Sequence, residues 1–130
     1  MISFFSLLDQ YKVIWLDSYG VIKNHRGLVP GVQHSIDLIY RKGIELSVLT
    51  NNAARSPQRQ SERFKTQDLH GIEPEQIVTS GMMAQQFLEN KVLKGKVAYL
   101  GTKAAAEYII QSNLEAIPVG QIRPEEISEI

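Results

Sequence analysis

Val13-Ile14-Trp15-Leu16-Asp17-Ser18-Tyr19-Gly20-Val21-Ile22 sets the reading of this chain, because four apolar residues run directly into a carboxylate. A short apolar run of this kind is expected of a strand covered on both faces, as in a parallel sheet. Asp17 then ends the strand, and Gly20 follows, where the backbone is expected to pass close to a neighbour. An aspartate there is either an ordinary turn residue bonding its own backbone or a reactive group held at a sheet edge.

The residues downstream repeat the strand and alternate it with helix. Pro30-Gly31 opens a helical pattern with Val32, Ile36, Leu38, Ile39 and Tyr40 on an apolar side, ending at Lys42-Gly43. Basic residues suit a helix carboxyl end and glycine suits its left-handed cap. Ile44–Leu49 reads as a second strand, ending at Thr50-Asn51-Asn52. Ser56-Pro57 starts a helix that is expected to run to His70-Gly71, with serine as N-cap and proline in the first turn. A turn at Glu73-Pro74-Glu75, the short apolar pair Ile77-Val78 and a helix from Thr79-Ser80-Gly81 through Leu88 come next. Lys96–Leu100 is a third strand, Lys103–Gln111 a helix, Glu115–Val119 a fourth strand, and Arg123-Pro124-Glu125-Glu126 a helix start. Strand and helix in alternation with short connections predict an α/β fold, a Rossmann-like parallel sheet with flanking helices.

Composition narrows the function. The chain has 130 residues, 14 Lys plus Arg against 14 Asp plus Glu, and no cysteine. The basic residues are scattered and form no stripe, so nucleic acid is not an expected partner. Disulfides, thiolate metal sites and a cysteine nucleophile are excluded. The apolar start MISFFSLLDQYK lacks a basic opening and contains Asp9, so it reads as a short amphipathic helix or covering arm. No apolar run reaches the ~18 residues of a membrane span, and a cytoplasmic protein that engages no membrane is the expectation. His25, His34 and His70 fit no metal spacing and read as surface or packing residues. Met82-Met83 and Phe87 at helical spacing read as core. Leu100-Gly101-Thr102 lacks the further glycines of a dinucleotide-binding turn.

Ligands of open parallel sheets sit outside the carboxyl ends of the strands. Two predicted strands deliver polar groups there, Asp17 after the first and Thr50-Asn51-Asn52 after the second. A carboxylate so placed can attack phosphorus and form an aspartyl-phosphate, while the Thr50 hydroxyl, Asn51 and backbone N–H groups hold the phosphoryl oxygens. Phosphate facing a carboxylate calls for a divalent cation bound by oxygens, Mg²⁺. Of the four aspartates, Asp9, Asp37 and Asp68 fall inside predicted helices, which leaves Asp17 as the one at a strand end.

The stretches VIWLDSYGVI, LVPGV (Leu28–Val32), LTNNAARSP (Leu49–Pro57) and IVTSG (Ile77–Gly81) resemble, in this order, the haloacid dehalogenase (HAD) superfamily. The nearest subgroup is type IIA, the nitrophenylphosphatase-like and sugar-phosphate phosphatases. The resemblance implies an Mg²⁺-dependent phosphatase of small phosphate esters, with a small phosphorylated metabolite as partner. It makes Asp17 the nucleophile and a metal ligand, Tyr19 a metal ligand through its backbone carbonyl, and Thr50, Asn51 and Gly20 the phosphate-binding residues. It also implies an amino-terminal part of the HAD-like core over 1–92 and the first strand–helix unit of an incomplete α/β cap over 93–130.

Two departures from the family pattern bear on activity. Tyr19 stands where the family carries a second aspartate as general acid and base, and a phenol is a poor base at neutral pH. The later lysine and acidic pair of the family have no counterpart, so the chain reads as an impaired amino-terminal portion of a larger enzyme. The alternative is a catalytically inactive, phosphate-ligand-binding or regulatory relative. A phosphorylated signalling receiver ranks lower, since its acidic pair near the first strand is missing. An unfinished sheet would expose an edge, so a homodimer is expected.

Overall fold

The computed structural model describes residues 4–124 and 127. The predicted helix start at Arg123-Pro124-Glu125-Glu126 falls partly outside them. The chain divides into two compact units, 1–50 with 57–78, and 51–56 with 79–130.

In the first unit, α1 (Phe4–Leu7) continues into one turn of 3₁₀ helix at Leu8–Gln10. It leads into β1 (Val13–Asp17), and a hairpin of β2 (Lys23–Asn24) and β3 (Gly27–Leu28) follows. Next come α2 (Val32–Arg41), β4 (Glu45–Thr50), α3 (Pro57–Lys65) and β5 (Ile77–Thr79). β4 lies between β1 and β5 in one sheet, and β1 and β4 run parallel, with Val13 opposite Glu45 and Asp17 opposite Leu49. α2 behaves as its sequence requires. It starts after Gly31 at φ 82° and buries Val32, Ile36 and Ile39. It closes through Gly43 at φ 68°, a backbone geometry that glycine adopts without strain.

Ile36, Ile39, Leu46, Val48, Phe64, Leu69, Ile72 and Ile77 form the centre of one apolar core with Leu8 and Ile22. Polar side chains tie its rim to backbone. Gln76 donates to the Leu46 carbonyl at 2.7 Å and to the Tyr40 hydroxyl at 2.8 Å, Tyr40 donates to the Gly71 carbonyl, and Ser61 donates to the Ile72 carbonyl at 2.8 Å.

Four expectations are corrected here. β1 is not covered on both faces: Val13, Trp15 and Asp17 are exposed while Ile14 and Leu16 are half-buried, and Glu45 and Leu49, the partners of Val13 and Asp17 on the central strand β4, are exposed as well, so only one face of this strand pair meets the core. An apolar run alone does not distinguish a doubly covered strand from one with a bare face. α3 ends at Lys65, short of His70-Gly71. The chain turns there through Asp68 at φ 60°, a left-handed conformation that aspartate tolerates better than most residues. Asp68 is therefore a turn residue and not a helical one. At Glu73 the predicted turn is a 3₁₀ helix, Pro74–Gln76, with Glu73 and Gln76 in a reciprocal capping box.

The second unit contains α4 (Ser80–Lys91), β6 (Lys96–Tyr99), α5 (Glu107–Gln111, entered through a 3₁₀ turn at Lys103–Ala106) and β7 (Glu115–Pro118). β6 and β7 pair in parallel as a separate two-stranded sheet, with Lys96 opposite Glu115 and Tyr99 opposite Pro118. Met83 and Phe87, expected in the core, are 54% and 60% exposed. α4 fully buries only Gly81, and its packing rests on small size at that one position and not on a broad apolar stripe. Phe87 borders an apolar cleft of about 370 Å³ with Leu88, Val97, Leu100 and Ile109.

Gly81 is buried because the Tyr108 ring occupies the space a side chain would need. A Cβ there would sit 2.2 Å from Tyr108 Cε2 and 2.4 Å from Cζ. Rings are stiff and Tyr108 is itself buried and anchored at its hydroxyl, so neither partner can yield cheaply. Gly81→Ala is expected to destabilise the second unit by about 1–3 kcal/mol or more, read as an earlier denaturant transition of the Tyr108 environment. An unchanged transition would contradict this packing.

Candidate active site

The site begins where β1 stops. Asp17 is the last residue of β1 and registers with Leu49 of the parallel neighbour, so Thr50 stands one residue further along the adjacent strand. Neighbouring strands are about 4.7–4.9 Å apart, and both residues therefore border the carboxyl end of the same strand pair. Pleating gives them different faces. Asp17 shares the exposed face of Trp15 and Leu49, whereas Thr50, 6% exposed, follows the buried face of Leu46 and Val48. Carboxylate and hydroxyl bracket the rim from its two faces.

The loop after β1 is tightly folded. Asp17 Oδ1 accepts the Ser18 N–H at 2.8 Å. The Ser18 carbonyl accepts the N–H groups of Ile22 and Lys23, both at 3.0 Å, and the Gly20 N–H donates to the Lys23 carbonyl at 2.7 Å. Ile22, fully buried, pins the far end of the loop to the core. Gly20 adopts φ 94° and a Cβ there would meet nothing within 4 Å. Its role is the turn itself, so the expectation that the backbone passes close to a neighbour at Gly20 is corrected. Tyr19 is 65% exposed at the crest of this loop. Ser18 is buried, and its hydroxyl has no hydrogen-bond partner among the described residues.

Asn51 belongs to the second unit and begins the loop 51–56 that continues directly from Thr50. Its carbonyl accepts the Ser80 hydroxyl at 2.9 Å. Within the loop Asn52 Oδ1 accepts the Ala54 N–H at 2.9 Å. The Arg55 carbonyl accepts the Tyr108 hydroxyl at 2.7 Å. Burial raises the Tyr108 phenol above its ordinary pKa, and although the hydrogen bond with Thr79 opposes this, the group stays a proton donor well past neutral pH. Ser80 and Tyr108 were not singled out from sequence. The only local signal was Thr79-Ser80-Gly81 after a short strand, where Thr79 caps α4 by accepting the Met82 N–H at 3.2 Å.

His25, His34 and His70 are all exposed, and among the described residues no group of three or more His, Cys, Asp or Glu is placed to hold a metal ion. Asp17 is the carboxylate of the strand-end rim, and the Tyr19 carbonyl belongs to the loop that follows it. No described helix is long and apolar enough to cross a membrane.

Comparison with known proteins places this arrangement. The family model of haloacid dehalogenase-like hydrolases matches residues 14–115. Phosphoglycolate phosphatase 2 of Arabidopsis thaliana is 31% identical over 99 residues, covering 75% of this chain and 33% of that protein. The crystal structure of a possible sugar phosphatase of the HAD superfamily from Cytophaga hutchinsonii superposes with TM-score 0.95 at 35% identity, over 100% of this chain and 46% of that one. A glycerol phosphate phosphatase from Mycobacterium tuberculosis, solved in complex with magnesium, shares the fold at TM-score 0.71 and 21% identity, over 92% of this chain and 36% of that one. The chain thus spans between a third and a half of the length of these relatives. With its parallel α/β sheet and a family match that starts inside β1 and runs to the start of β7, the chain belongs to the haloacid dehalogenase-like hydrolase family.

Proposed function

We propose that the chain serves phosphoryl transfer, as a phosphatase of small phosphate esters working through Asp17. The observation that carries the reading is the carboxylate of Asp17 at the end of β1, level with the end of β4 where Thr50 stands. An Asp17 oxygen attacks phosphorus, the bond from phosphorus to the ester oxygen breaks, and the alcohol leaves with a proton. Water then cleaves the aspartyl-phosphate, releasing phosphate and restoring the carboxylate. Thr50 and the peptide that leads to Asn51 hold the phosphoryl oxygens, and Gly20 shapes the turn that carries Tyr19 over the rim.

The chain contributes two oxygen donors toward Mg²⁺, the Asp17 carboxylate and the Tyr19 carbonyl. That suits an ion which keeps several waters and uses one or two carboxylates together with substrate phosphate. Bound there, it would neutralise charge between phosphate and Asp17. The relatives named for sugar phosphate, phosphoglycolate and glycerol phosphate suggest a small, polar phosphate ester as substrate. The separate β6–β7 sheet supports reading residues 93–130 as the start of a cap, the part that selects substrates in the type IIA subgroup.

A second reading, ligand binding without turnover, is favoured by Tyr19 at the position of the family's acid–base aspartate. Release of phosphate from nitrophenyl phosphate with Mg²⁺ separates the two. Multiple turnovers per chain are expected of the phosphatase. Orthophosphate binding with no release above background would support the second reading and sink the first.

A further inference from the structure

We infer that the bare face of the β1–β4 pair, with the outer edge of β1, is a docking surface for polypeptide equivalent to the part of its relatives that this chain does not span. Register and pleat define the face. Val13 stands opposite Glu45, Trp15 opposite Ser47 and Asp17 opposite Leu49. Trp15, at its centre, is 55% exposed, and Val13, Asp17, Glu45 and Leu49 are exposed around it. The intervening residues of β4, Leu46 and Val48, are buried in the core with Ile36 and Ile39 of α2. Parallel strands are found almost only in sheets covered on both faces, yet here only the α2 side is covered. β1 also stands at the end of the strand order, and an unpaired strand edge offers a row of N–H and C=O groups to a further strand.

Charge and the length of the relatives select the occupant. The charged side chains that β1 and β4 place on this face are both carboxylates, Glu45 where the pair begins and Asp17 where it ends. Neither strand sets a lysine or arginine between them. Two copies of the chain joined through this face would bring four carboxylates together with no cation, which opposes self-association. A partner with an apolar centre and a basic group toward Glu45 is complementary instead. The possible sugar phosphatase from Cytophaga hutchinsonii matches the whole of this chain at TM-score 0.95, yet only 46% of its own length is covered. More than half of that protein therefore lies outside the shared elements, and the uncovered face and edge of a shared parallel sheet are where that half is joined. This inference rests on the fold and the exposures, and it does not require Asp17 to be a nucleophile.

Trp15 is the only tryptophan of the chain, so it reports directly on whether the face is covered. The chain is labelled with 5-fluorotryptophan and refolded from denaturant together with the part of the Cytophaga hutchinsonii protein that it does not cover. Fluorine resonance then follows Trp15, and light scattering follows mass. The expected result is a one-to-one complex in which the Trp15 resonance shifts and loses its sensitivity to solvent. Val13→Lys should weaken that complex about tenfold or more, because docking buries the new charge. In the free chain the lysine faces Glu45 across the strand pair, an opposite-charge pairing that the sheet accepts. A complex that leaves Trp15 unchanged, or that Val13→Lys does not weaken, overturns the docking surface. So does the absence of any complex after joint refolding. A doubled mass with a shifted Trp15 resonance in the chain alone also overturns the inference, since a second copy would then be the occupant.

Discussion

Asp17→Asn is expected to abolish phosphate release, leaving the rate at the uncatalysed background. The substitution removes the carboxylate proposed as nucleophile and metal ligand and leaves the shape of the side chain unchanged. The amide is isosteric, and its oxygen can still accept the Ser18 N–H that Asp17 Oδ1 accepts now. Asp17 is exposed at the end of an edge strand, with Ile14 and Leu16 supplying the packing of β1, so stability should stay within about 0.5 kcal/mol of wild type. Loss of activity with an unmoved unfolding midpoint is the signature of a missing nucleophile. Residual turnover near the wild-type rate would assign the chemistry to another group. Loss of activity together with loss of folding would contradict the local structure described for the rim.

Tyr19→Asp is expected to raise turnover. A positioned proton donor and acceptor contributes about 10²–10⁴ in rate, and Tyr19 occupies the crest of the loop two residues past the nucleophile. The side chain is 65% exposed and no described contact depends on its ring, so a smaller carboxylate enters without repacking. The gain should be greatest for esters of poor leaving groups, since these need a proton delivered to the departing oxygen. Nitrophenyl phosphate, whose leaving group departs as a stable anion, should gain least. A uniform gain across leaving groups would indicate improved metal binding by the added carboxylate. No gain for any ester would show that position 19 does not reach the leaving oxygen.

Much of the fold was legible because its signals are local. Gly31 and Gly43 bracket α2 at positive φ, and the apolar spacing between them puts Val32, Ile36 and Ile39 into the core. That Asp17 and Thr50 stand at strand ends follows from the apolar runs that precede them. The failures are equally physical. Whether Val13 and Trp15 are covered depends on what packs over their face of the sheet, which their own apolar character cannot reveal. Met83 and Phe87 have helical spacing, yet the face that packs is chosen by the close approach of Tyr108 to Gly81. The end of α3 was overrun because Asp68 takes a left-handed turn that its sequence neighbours do not announce.

At the site itself, the sequence placed Asp17 and Thr50 at strand ends, whereas the pleat put them on opposite faces of the strand pair. The hydrogen bonds from Ser80 and Tyr108 to the loop 51–56 were hidden for a different reason. They join residues 29 and 53 positions apart in the chain through hydroxyl groups that carry no periodic signal.

A nucleophilic Asp17 requires a transient covalent bond between its carboxylate and phosphorus. Acid quenching of the chain within seconds of mixing with nitrophenyl phosphate and Mg²⁺, followed by intact mass measurement and peptide fragmentation, looks for that bond directly. The expected result is a species heavier by one phosphoryl group, carried on Asp17 and missing from Asp17→Asn. Phosphate release with no such species, or a phosphoryl group mapped to any other residue, would contradict it.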